Sequence, residues 1–534
     1  MKIRFKLLAL FSAVALAAFP LFSGCSKTEE TVVLRVANWE EYIDLGGWEE
    51  DEIIDINNPY APENGGIFGD KAMTDEFVEW FNAQDYGFNV SVQYSTFGTN
   101  EDLYNRLNLG DTYDLVCPSD YMMMKLIDEG KVEKFSESFK DPQIEGNYYA
   151  QNVSRYIDVA EDSIFYSYDW QDYAACYMWG TTGFAYNPEK IVDVQDFATW
   201  NVLLNEDYNR KITIKDNVRD SYFAALAIKN SSSLLSENYT LEQLSDILND
   251  TQTETINEAQ DILKKIKENV YSFEVDSGKA DMVTGKVYGN FQWSGDAVYI
   301  LDEAEADEEN ALELWYSVPE ECANLWFDGW IMLKDGINGN EQRKTAAEAF
   351  VNYLSRPDNA VRNMYYIGYT SAIASDLVFD YMDWNYGYDF ESQELSESLY
   401  LYDLSYFFGE GKNLYVDAAS LEITDALSAD KTIEGISYEV LSGGKISRGR
   451  QLFAQYPTES VINRSVVMLD FGDKLAEINQ MWINVRCQDL LDVSPASVIV
   501  TAVIILLIVG FILVYKFRYQ IFKPRVKKGF KKVN

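Results

Sequence analysis

The sequence contains no histidine and only five cysteines among its 534 residues. Without histidine the chain cannot build a Ser-His-Asp or Cys-His nucleophile, nor the usual histidine sites for metal ions. The cysteines are scattered and include no Cys-x-x-Cys pair, which argues against a zinc site and against a disulfide framework. They lie at Cys25, Cys117, Cys176, Cys322 and Cys487. We therefore expect neither a metal nor another cofactor.

Basic residues are also scarce in the body of the chain. The chain has 44 Lys and Arg against 86 Asp and Glu, and eleven of the basic residues lie in two terminal segments that hold no acid. The body between those segments therefore has 33 basic and 86 acidic residues, a net charge of −53. A field of this sign repels nucleic acid and attracts cations. Solubility alone is an alternative reason for such acidity.

The amino-terminal residues have the pattern of an export signal. Basic residues in the first six positions precede an apolar run of signal-peptide length, and small residues follow it. The stretch Phe22–Cys25 resembles a bacterial lipobox, in which the cysteine becomes diacylated and forms the new amino terminus. This resemblance implies a lipoprotein signal peptide over residues 1–25, with lipidation at Cys25. An ordinary secretory signal is the alternative.

The carboxyl-terminal residues have the pattern of a membrane anchor. Residues 496–515 are uncharged and almost wholly apolar. As a helix they span roughly 30 Å, the thickness of the hydrocarbon core of a bilayer. Eight basic residues follow within residues 516–534, and the positive-inside rule assigns this tail to the cytoplasm. The two ends together predict a cell-membrane protein with a single transmembrane helix, a cytoplasmic tail and an extracytoplasmic body.

The first part of the body alternates between strand and helix patterns. Short apolar or alternating runs predict strands, and segments with helical spacing separate them. The predicted strands cover residues 32–37, 89–94 and 113–117, and the predicted helices cover 74–81, 100–109 and 121–129. This order predicts an α/β fold with a parallel sheet covered by helices. A second α/β region follows a turn predicted at Trp179–Gly183 (WGTTG), and residues 375–456 form an acidic, tyrosine-rich stretch with weak periodicity.

Ten short segments occur in a fixed order along most of residues 34–486. They read LRVANWEEYI (34–43), YSTFGTNEDLYNRL (94–107), YDLVCPSDYMMMKLIDEGKV (113–132), YMWGTTGFAYNP (177–188), KDNVRDSYFAAL (215–226), FQWSGDA (291–297), SVPEECANLWFDGWIM (317–332), AFVNYLSRPDNA (349–360), IGYTSA (367–372) and YPTESVINR (456–464). No single segment is decisive, but ten in this order are specific. In this order they resemble the spermidine/putrescine-binding periplasmic proteins.

The resemblance implies an α/β, two-lobed type II periplasmic-binding-protein fold. Two lobes are joined by crossing hinge strands, and the ligand lies in the cleft between them. The expected lobe 1 covers residues 31–177 and 327–373, and the expected lobe 2 covers residues 178–326 and 374–490. Residues 45–73 and 375–450 look like insertions within these lobes. The carboxyl-terminal transmembrane helix also departs from the family.

The resemblance also implies a function in transport rather than catalysis. Such a protein is the extracytoplasmic substrate-binding component of an ABC importer, and its partners are a permease and an ATPase. The implied ligand is a polyamine such as spermidine or putrescine. Its ammonium groups need carboxylates, and its methylene chain needs aromatic walls that also supply cation–π attraction.

The site residues carried over from the family's motifs are mostly aromatic or acidic. They are Trp39, Tyr42, Ser119, Tyr121, Asp216, Asp220, Trp293, Trp326, Asp328 and Tyr369. The family pattern assigns the Asp328 carboxylate to an amine and the Trp326 ring to the methylene chain. The segment Asp216–Asp220 departs from the family's pattern, since Asn217 replaces the second of two acids. This replacement leaves open how many amines the ligand carries.

Three alternatives remain on the sequence alone. The same fold could hold another small amine or a zwitterion. The chain could be a cell-surface hydrolase that works through carboxylates, although it has no nucleophile motif and no phosphate loop. It could also be a membrane-tethered sensor ectodomain, a function against which the short tail of 19 residues after Tyr515 argues.

Overall fold

The computed structural model describes residues 30–49, 52–157, 170–275, 277–306, 311–389, 399–417, 421–422, 431–433, 436–440, 448–487 and 495–521. The predicted signal peptide and Cys25 lie outside the described residues, as do residues 522–534 of the predicted tail.

The described residues form a mixed α/β structure. Its strands are β1 (Thr31–Trp39), β2 (Asn89–Phe97), β3 (Leu115–Val116), β4 (Val132–Glu133), β5 (Ala174–Tyr186), β6 (Ile212–Lys215), β7 (Ser272–Glu274), β8 (Gly289–Trp293), β9 (Trp315–Ser317), β10 (Ala323–Leu333), β11 (Thr370–Ser371), β12 (Leu399–Asp403), β13 (Asn413–Asp417), β14 (Leu421–Glu422), β15 (Lys431–Ile433), β16 (Ile436–Val440), β17 (Arg448–Gly449) and β18 (Ser465–Val466). Its α-helices are α1 (Met73–Asn82), α2 (Asn100–Leu109), α3 (Asp120–Asp128), α4 (Glu137–Lys140), α5 (Tyr148–Asn152), α6 (Val218–Ser236), α7 (Leu241–Leu248), α8 (Thr253–Asn269), α9 (Ser277–Val283), α10 (Ser294–Ala306), α11 (Lys334–Ile337), α12 (Glu341–Leu354), α13 (Pro357–Ile367), α14 (Asp376–Tyr386), α15 (Ser405–Phe408), α16 (Gln451–Gln455), α17 (Glu459–Ile462), α18 (Leu475–Arg486) and α19 (Pro495–Ile521).

Lobe 1 is built on parallel strands, as the sequence predicts. β1 pairs in parallel with β2, with Thr31–Trp39 opposite Asn89–Phe97, and β1 also pairs in parallel with β3. The helices α1, α2 and α3 alternate with these strands along the chain. The carboxyl ends of the three strands therefore meet at one edge of the sheet. The loops that carry Tyr42 and Ser119 begin at this edge.

Two long antiparallel strands connect the lobes. Both β5 and β10 are buried along their whole length. The turn predicted at Trp179–Gly183 is wrong, because these residues continue β5. β10 pairs with β3 and β4 in lobe 1 and with the first half of β5, whereas the second half of β5 pairs with β8 and β9. In lobe 2, β6 lies parallel to β7 and β8. The predicted two-lobed α/β fold with crossing strands is therefore confirmed.

Each lobe has its own apolar core. In lobe 1, buried side chains of β1 and α1 such as Leu34 and Phe77 pack together. In lobe 2, Trp200 and Leu263 belong to a separate cluster. A third cluster, which includes Trp179 of β5, lies where the connecting strands join the two lobes. The candidate ligand cleft lies between these cores.

Residues 45–73, which the sequence predicts as an insertion, fold back onto lobe 1. Asp44, just before them, accepts hydrogen bonds from Arg362 Nε at 2.9 Å and Nη2 at 2.6 Å. The Trp48 ring lies 4.8 Å from the Tyr365 ring. Arg362 and Tyr365 both belong to α13, so the segment covers one face of this helix.

The described residues between 375 and 450 include a second, smaller sheet. Its strand order is β13-β12-β16-β15. Tyr402 of this sheet donates a hydrogen bond of 2.6 Å to the carbonyl of Tyr456, and Ser154 donates one of 2.8 Å to the carbonyl of Phe407. These contacts attach the sheet, through Tyr402, and the neighbouring helix α15, through Phe407, to the rest of the protein. The weakly periodic stretch therefore contains a small β-subdomain as well as helices.

The carboxyl-terminal helix α19 covers the segment in which the sequence predicts a membrane span. Side chains of this helix are described over residues 503–516 only, and the large apolar ones from Val503 to Tyr515 are exposed. Among the described residues, no helix has both the length and the apolar character that a membrane crossing requires. The structure therefore does not support the predicted transmembrane helix at residues 496–515.

Candidate functional site

The loop after β1 and the connecting strand β10 bring Tyr42 and Asp328 together. Asp328 lies opposite Met178 of β5, next to a shift in strand register, and it is 6% exposed. The Tyr42 hydroxyl donates a hydrogen bond of 2.7 Å to Asp328 Oδ2. The other oxygen, Oδ1, is buried and has no hydrogen-bond partner among the described residues. Asp328 therefore keeps one acceptor available inside the protein.

The protonation states of these two groups follow from their burial. Burial raises the pKa of Asp328 to about 6, although the nearby hydroxyls of Ser119 and Tyr42 oppose the rise. Burial also raises the pKa of Tyr42 well above its ordinary value, so the phenol remains a donor. At neutral pH, Asp328 is therefore an ionised carboxylate in an apolar setting. An ammonium group can supply the charge-assisted hydrogen bond that Oδ1 lacks.

Aromatic rings pack near Asp328. The Tyr42 and Tyr369 rings meet edge to face, with their centroids 4.9 Å apart. Tyr369 in turn lies 5.7 Å from the Trp326 ring. Trp326 Nε1 donates a hydrogen bond of 3.2 Å to the Thr181 carbonyl, which fixes the indole against β5. The structure thus brings three of the predicted aromatic residues together around the predicted carboxylate.

Two glycines make room for these rings. A Cβ atom on Gly180 would lie 2.2 Å from Ser294 Oγ and 2.6 Å from Cζ2 of Trp326, and one on Gly295 would overlap the Tyr369 ring. Both positions therefore need a residue without a side chain if the rings are to keep their places. The positions of the two rings therefore depend on a glycine in β5 and a glycine at the start of α10.

Trp39 stands at the end of β1, at the edge that carries the other lobe 1 candidates. Its ring packs against Phe97 at a centroid distance of 4.9 Å. Its indole nitrogen is buried and, within the described part of the chain, has no hydrogen-bond partner. The predicted residue therefore offers a buried donor in addition to an aromatic surface.

The start of α3 contributes the predicted Ser119 and Tyr121. Ser119 forms an isolated β-bridge with Asp328, and its N–H donates a hydrogen bond of 3.1 Å to Asn100 Oδ1. Tyr121 Oη accepts a hydrogen bond of 3.0 Å from Asn100 Nδ2 and donates one of 3.1 Å to Glu101 Oε1. Asn100, which the motifs did not indicate as a site residue, thus positions both candidates.

Asp120 is a second buried carboxyl group that the sequence analysis missed. It accepts a hydrogen bond of 3.1 Å from the N–H of Phe327, next to Asp328 on β10. Burial raises the pKa of Asp120 to about 8, and the neighbouring Asp328 adds to the rise. Asp120 is therefore mostly protonated at neutral pH. The only signal in the sequence is its position between two predicted residues, Ser119 and Tyr121.

Lobe 2 contains the predicted residues Trp293 and Asp220. Trp293 ends β8 opposite Thr182 of β5, and Asp220 lies buried in the first turn of α6. Burial raises the pKa of Asp220 to about 6, whereas Lys215 and the hydrogen-bonding indole of Trp293 lower it. Lys215, also missed from the sequence, places Nζ 4.0 Å from the centroid of the Trp293 ring.

The predicted Asp216 has a different partner from Asp220. Its carboxylate forms an ion pair of 2.9 Å with Arg486 of α18, and its side chain is about one quarter exposed. Asn217, which the sequence analysis interpreted as a lost acid, caps α6 by accepting a hydrogen bond of 2.7 Å from the N–H of Arg219. Of the acids in this segment, Asp220 is therefore the one that contacts another predicted site residue.

The cleft has the chemistry of a binding site for a cation. Within the described ranges, acids and cysteines form no cluster that could hold a metal ion. The site instead combines buried carboxyl groups, hydroxyl groups and aromatic faces, which suit an organic ammonium group.

This arrangement and the fold agree with a family of transport proteins. A family model for bacterial extracellular solute-binding proteins matches residues 76–376, more than half of the chain. The chain belongs to the bacterial extracellular solute-binding protein family. This membership makes the protein an extracytoplasmic substrate-binding component of ABC transport, a class of binding proteins and not of enzymes.

Individual relatives agree with this membership. The spermidine/putrescine-binding periplasmic protein of Escherichia coli (strain K12) is 26% identical to this solute-binding protein over 359 residues, 67% of this chain and 82% of the relative. The protein of the same description from Salmonella typhimurium is 26% identical over 283 residues, 52% of this chain and 70% of the relative. The resemblance found in the sequence is therefore confirmed.

A solved structure supports the fold. The crystal structure of the Tp0655 (TpPotD) lipoprotein of Treponema pallidum matches with a TM-score of 0.52 at 17% identity, over 85% of this chain and 99% of that one. At this identity the likeness bears on the two-lobed fold alone.

Proposed function

We propose that this solute-binding protein binds a small aliphatic amine of the polyamine class, such as spermidine or putrescine, in the cleft between its lobes. The observation that carries the proposal is Asp328, a buried carboxylate whose Oδ1 has no hydrogen-bond partner in the described structure. The loaded protein then delivers the amine to the permease and ATPase of an ABC importer.

The chemistry of the ligand matches the cleft at two points. An ammonium group donates a hydrogen bond to Asp328 Oδ1, which balances the buried charge. The methylene chain packs against the faces of Trp326 and Tyr369, and each ring near the ammonium adds roughly 0.5–2 kcal/mol of cation–π attraction. A neutral alcohol of the same length fills the same space but leaves the carboxylate without a counter-charge.

The relatives and the charge of the chain support the choice of an amine. Both relatives described above are named as spermidine/putrescine-binding proteins. The body of this chain is strongly acidic, with a net charge of −53 between the terminal segments. Such a field draws cationic ligands towards the protein and increases their rate of association.

The test is a calorimetric titration of the purified full-length chain with spermidine, putrescine and 1,4-butanediol. We expect heat from an amine and none from the diol. The variant Asp328→Asn should weaken amine binding at least about 100-fold, since a buried charge-assisted hydrogen bond and its ion pair are lost.

The matched control is Asp85→Asn, in which an exposed aspartate before β2 loses its charge. Because Asp85 lies outside the candidate site, this variant should bind the amine within about threefold of the parent protein. Equal loss of affinity in both variants would assign the effect to overall charge rather than to the cleft. No binding of any amine by the parent protein would contradict the proposal.

We further propose that the protein is tethered to the membrane at both ends. This proposal rests on the sequence, in which Cys25 follows an export signal and the apolar residues 496–515 precede eight basic ones. Tethering would keep the binding protein close to its permease and increase its effective concentration there.

Membrane fractionation tests the tethering. The full-length chain, the Cys25→Ser variant and a chain that ends at residue 495 should all sediment with the membranes, because each keeps at least one anchor. A chain that combines the two changes should appear in the soluble extracytoplasmic fraction. Retention of that combined variant in the membrane would contradict the proposal.

A further inference from the structure

The loop that carries Tyr42 is closed by the side chain of Asn38. Asn38 is the last residue but one of β1 and is fully buried. Its Oδ1 accepts a hydrogen bond of 2.9 Å from the N–H of Trp39, and its Nδ2 donates one of 3.1 Å to the carbonyl of Tyr42. An amide suits this place because it accepts at one atom and donates at the other. One side chain thus fastens both ends of a turn that contains two predicted site residues.

The turn between these two contacts holds a residue in an uncommon backbone conformation. Glu41 has a φ of 53°, in the left-handed region that residues with a Cβ atom rarely adopt. Such a conformation persists where the surrounding contacts impose it. The Asn38 amide supplies such contacts, since it binds the backbone of Trp39 and of Tyr42, on either side of the turn.

A second hydrogen bond reaches the Tyr42 carbonyl from a connecting strand. Tyr177 belongs to β5 and is 6% exposed, and its hydroxyl donates a hydrogen bond of 3.0 Å to this carbonyl. The rings of Tyr42 and Tyr177 meet edge to face, with their centroids 5.7 Å apart. The Tyr42 carbonyl therefore accepts two hydrogen bonds inside the protein, which uses both of its lone pairs.

These contacts fix the backbone of the residue whose side chain reaches Asp328. The Tyr42 hydroxyl donates its hydrogen bond of 2.7 Å to Asp328 Oδ2. Hydrogen bonds weaken steeply as their geometry departs from the optimum, so a small movement of the Tyr42 backbone would weaken this one. Asn38 and Tyr177 bind Tyr42 through its carbonyl, at the other end of the residue from the hydroxyl. Their influence on Asp328 therefore passes through Tyr42.

We propose that Asn38 and Tyr177 are positioning residues of the ligand site, which hold the turn after β1 so that the Tyr42 hydroxyl stays on Asp328. This inference rests on the proposed amine-binding function for its effect on affinity. Because the turn is already formed without a ligand, the ligand does not have to order it, and less free energy is lost on binding. Both residues lie in the family's motifs, but neither was predicted as a site residue.

The test measures the ionisation of Asp328 in the full-length protein without ligand. The free energy of unfolding is measured between pH 4 and pH 9 for each protein and for the same protein with Asp328→Asn. The pH at which their difference changes most steeply is the ionisation midpoint of Asp328. The Tyr42 hydroxyl lowers the pKa of Asp328, so Asn38→Ala should move this midpoint upward, by at least about half of the shift that Tyr42→Phe causes.

A double variant separates positioning from a general loss of stability. In Asn38→Ala/Tyr42→Phe the hydroxyl that Asn38 positions is absent, so the midpoint should equal that of Tyr42→Phe alone. The matched control is Asn359→Ala, at another fully buried asparagine, whose Nδ2 donates a hydrogen bond of 2.8 Å to the Tyr353 carbonyl. This control should lose stability but keep the midpoint of Asp328. All these variants retain the other titratable groups that act on Tyr42 or Asp328, namely Tyr369, Cys117 and Asp120.

Tyr177→Phe keeps the inference testable even if Asn38→Ala does not fold, since it removes the other hydrogen bond to the same carbonyl. It should also move the midpoint of Asp328 upward. An unchanged midpoint in either folded variant would overturn the inference, and so would a shift by Asn38→Ala that adds to that of Tyr42→Phe.

Calorimetric titration of the same variants with spermidine separates this inference from the proposed function. At pH 7, Asn38→Ala should bind the amine severalfold more weakly than the parent protein. If the parent protein binds no amine, the proposed function fails, whereas a shifted midpoint still supports the positioning of Tyr42. If the parent protein binds an amine and the midpoint is unchanged in Asn38→Ala, the positioning is wrong and the proposed function stands.

Discussion

The Tyr42 hydroxyl and the Asp328 carboxylate are joined by a hydrogen bond of 2.7 Å, although 286 positions separate them in the sequence. The contact connects the loop after β1 to the strand that crosses between the lobes. It leaves Asp328 Oδ1 without a hydrogen-bond partner among the described residues. If Asp328 binds an amine as we propose, the ionisation of Asp328 and the affinity for that amine should depend on Tyr42.

The variant Tyr42→Phe tests this dependence. The Tyr42 hydroxyl lowers the pKa of Asp328, so its removal should raise that pKa above about 6 and shift the pH midpoint of amine binding upward. At pH 7 the affinity should fall severalfold, and at pH 8.5 the loss should be smaller. Titrations over this pH range measure the shift. Tyr366→Phe, at a tyrosine that is 40% exposed, serves as the control and should leave the midpoint unchanged.

Amine binding should weaken as the pH falls through about 6. The ligand needs the ionised carboxylate, and burial raises the pKa of Asp328 to about 6. The affinity should be constant above pH 7 and about tenfold lower at pH 5, since only about a tenth of the groups remain ionised one pH unit below the pKa. An affinity that stays constant down to pH 5 would show that Asp328 does not pair with the ligand.

The stability of the protein without ligand should decrease as the pH rises through about 6, whereas amine binding should strengthen. The pKa of Asp328 in the folded protein lies above the ordinary 3.8, so the protonated group favours the folded state. This stabilisation is fully present below pH 3.8 and is lost as the pH rises through about 6. Asp328→Asn should therefore be more resistant to denaturant than the parent protein at pH 8. Denaturant melts of both proteins at pH 5 and pH 8 measure the difference.

The glycine at position 180 should be required for the aromatic wall. In Gly180→Ala the new Cβ atom would lie 2.2 Å from Ser294 Oγ and 2.6 Å from Cζ2 of Trp326, so the hydroxyl and the indole must both move and amine affinity should fall at least about tenfold. Gly98→Ala is the matched control, because a Cβ atom there has no neighbour within 4 Å. Calorimetry should find the control unchanged. Equal affinities in the two variants would mean that Trp326 does not contact the ligand.

The buried ion pair between Arg362 and Asp44 should hold the segment 45–73 onto lobe 1. Arg362 is 4% exposed and Asp44 is fully buried, and Arg362 also forms an ion pair with Glu76. Removal of one partner leaves a buried charge, so Arg362→Met should lower the free energy of unfolding by about 3–5 kcal/mol. Chemical denaturation measures this loss. Lys71→Met, which breaks an exposed pair with Glu79, should have little effect by comparison.

The alternating pattern of the sequence predicted the architecture of lobe 1 well. The predicted strands at 32–37 and 89–94 correspond to β1 and β2, and the helix predicted at 100–109 corresponds to α2. Such local patterns follow from burial on one face and are visible in the chain itself. Only the family resemblance implied that β5 and β10 cross between the lobes. The local pattern could not predict this crossing, because both strands are buried along their whole length and lack the alternation of a half-buried strand.

Candidate site residues could be predicted only where they belong to a motif of the family. The motifs led to Asp328 and to the aromatic residues around it, whereas Asp120 depends on the packing of β10 against α3. No sequence pattern distinguishes Lys215 from other lysines, and its cation–π contact depends on Trp293, 78 positions away. Asn217 was interpreted as a missing charge, but it caps a helix. For Asp120 and Lys215, a contact between distant segments determines the environment of the side chain, and the local sequence does not reveal that contact.

The central claim is that Asp328 receives the ammonium group of the ligand. The number of protons released on binding tests this claim most directly. The full-length chain is titrated calorimetrically with its best amine at pH 6, in buffers of different ionisation enthalpy, alongside Asp328→Asn. Because burial raises the pKa of Asp328 to about 6, the parent protein should release about half a proton more than the variant at pH 6, and this difference should vanish at pH 8. Equal proton release by the two proteins at pH 6 would contradict the account.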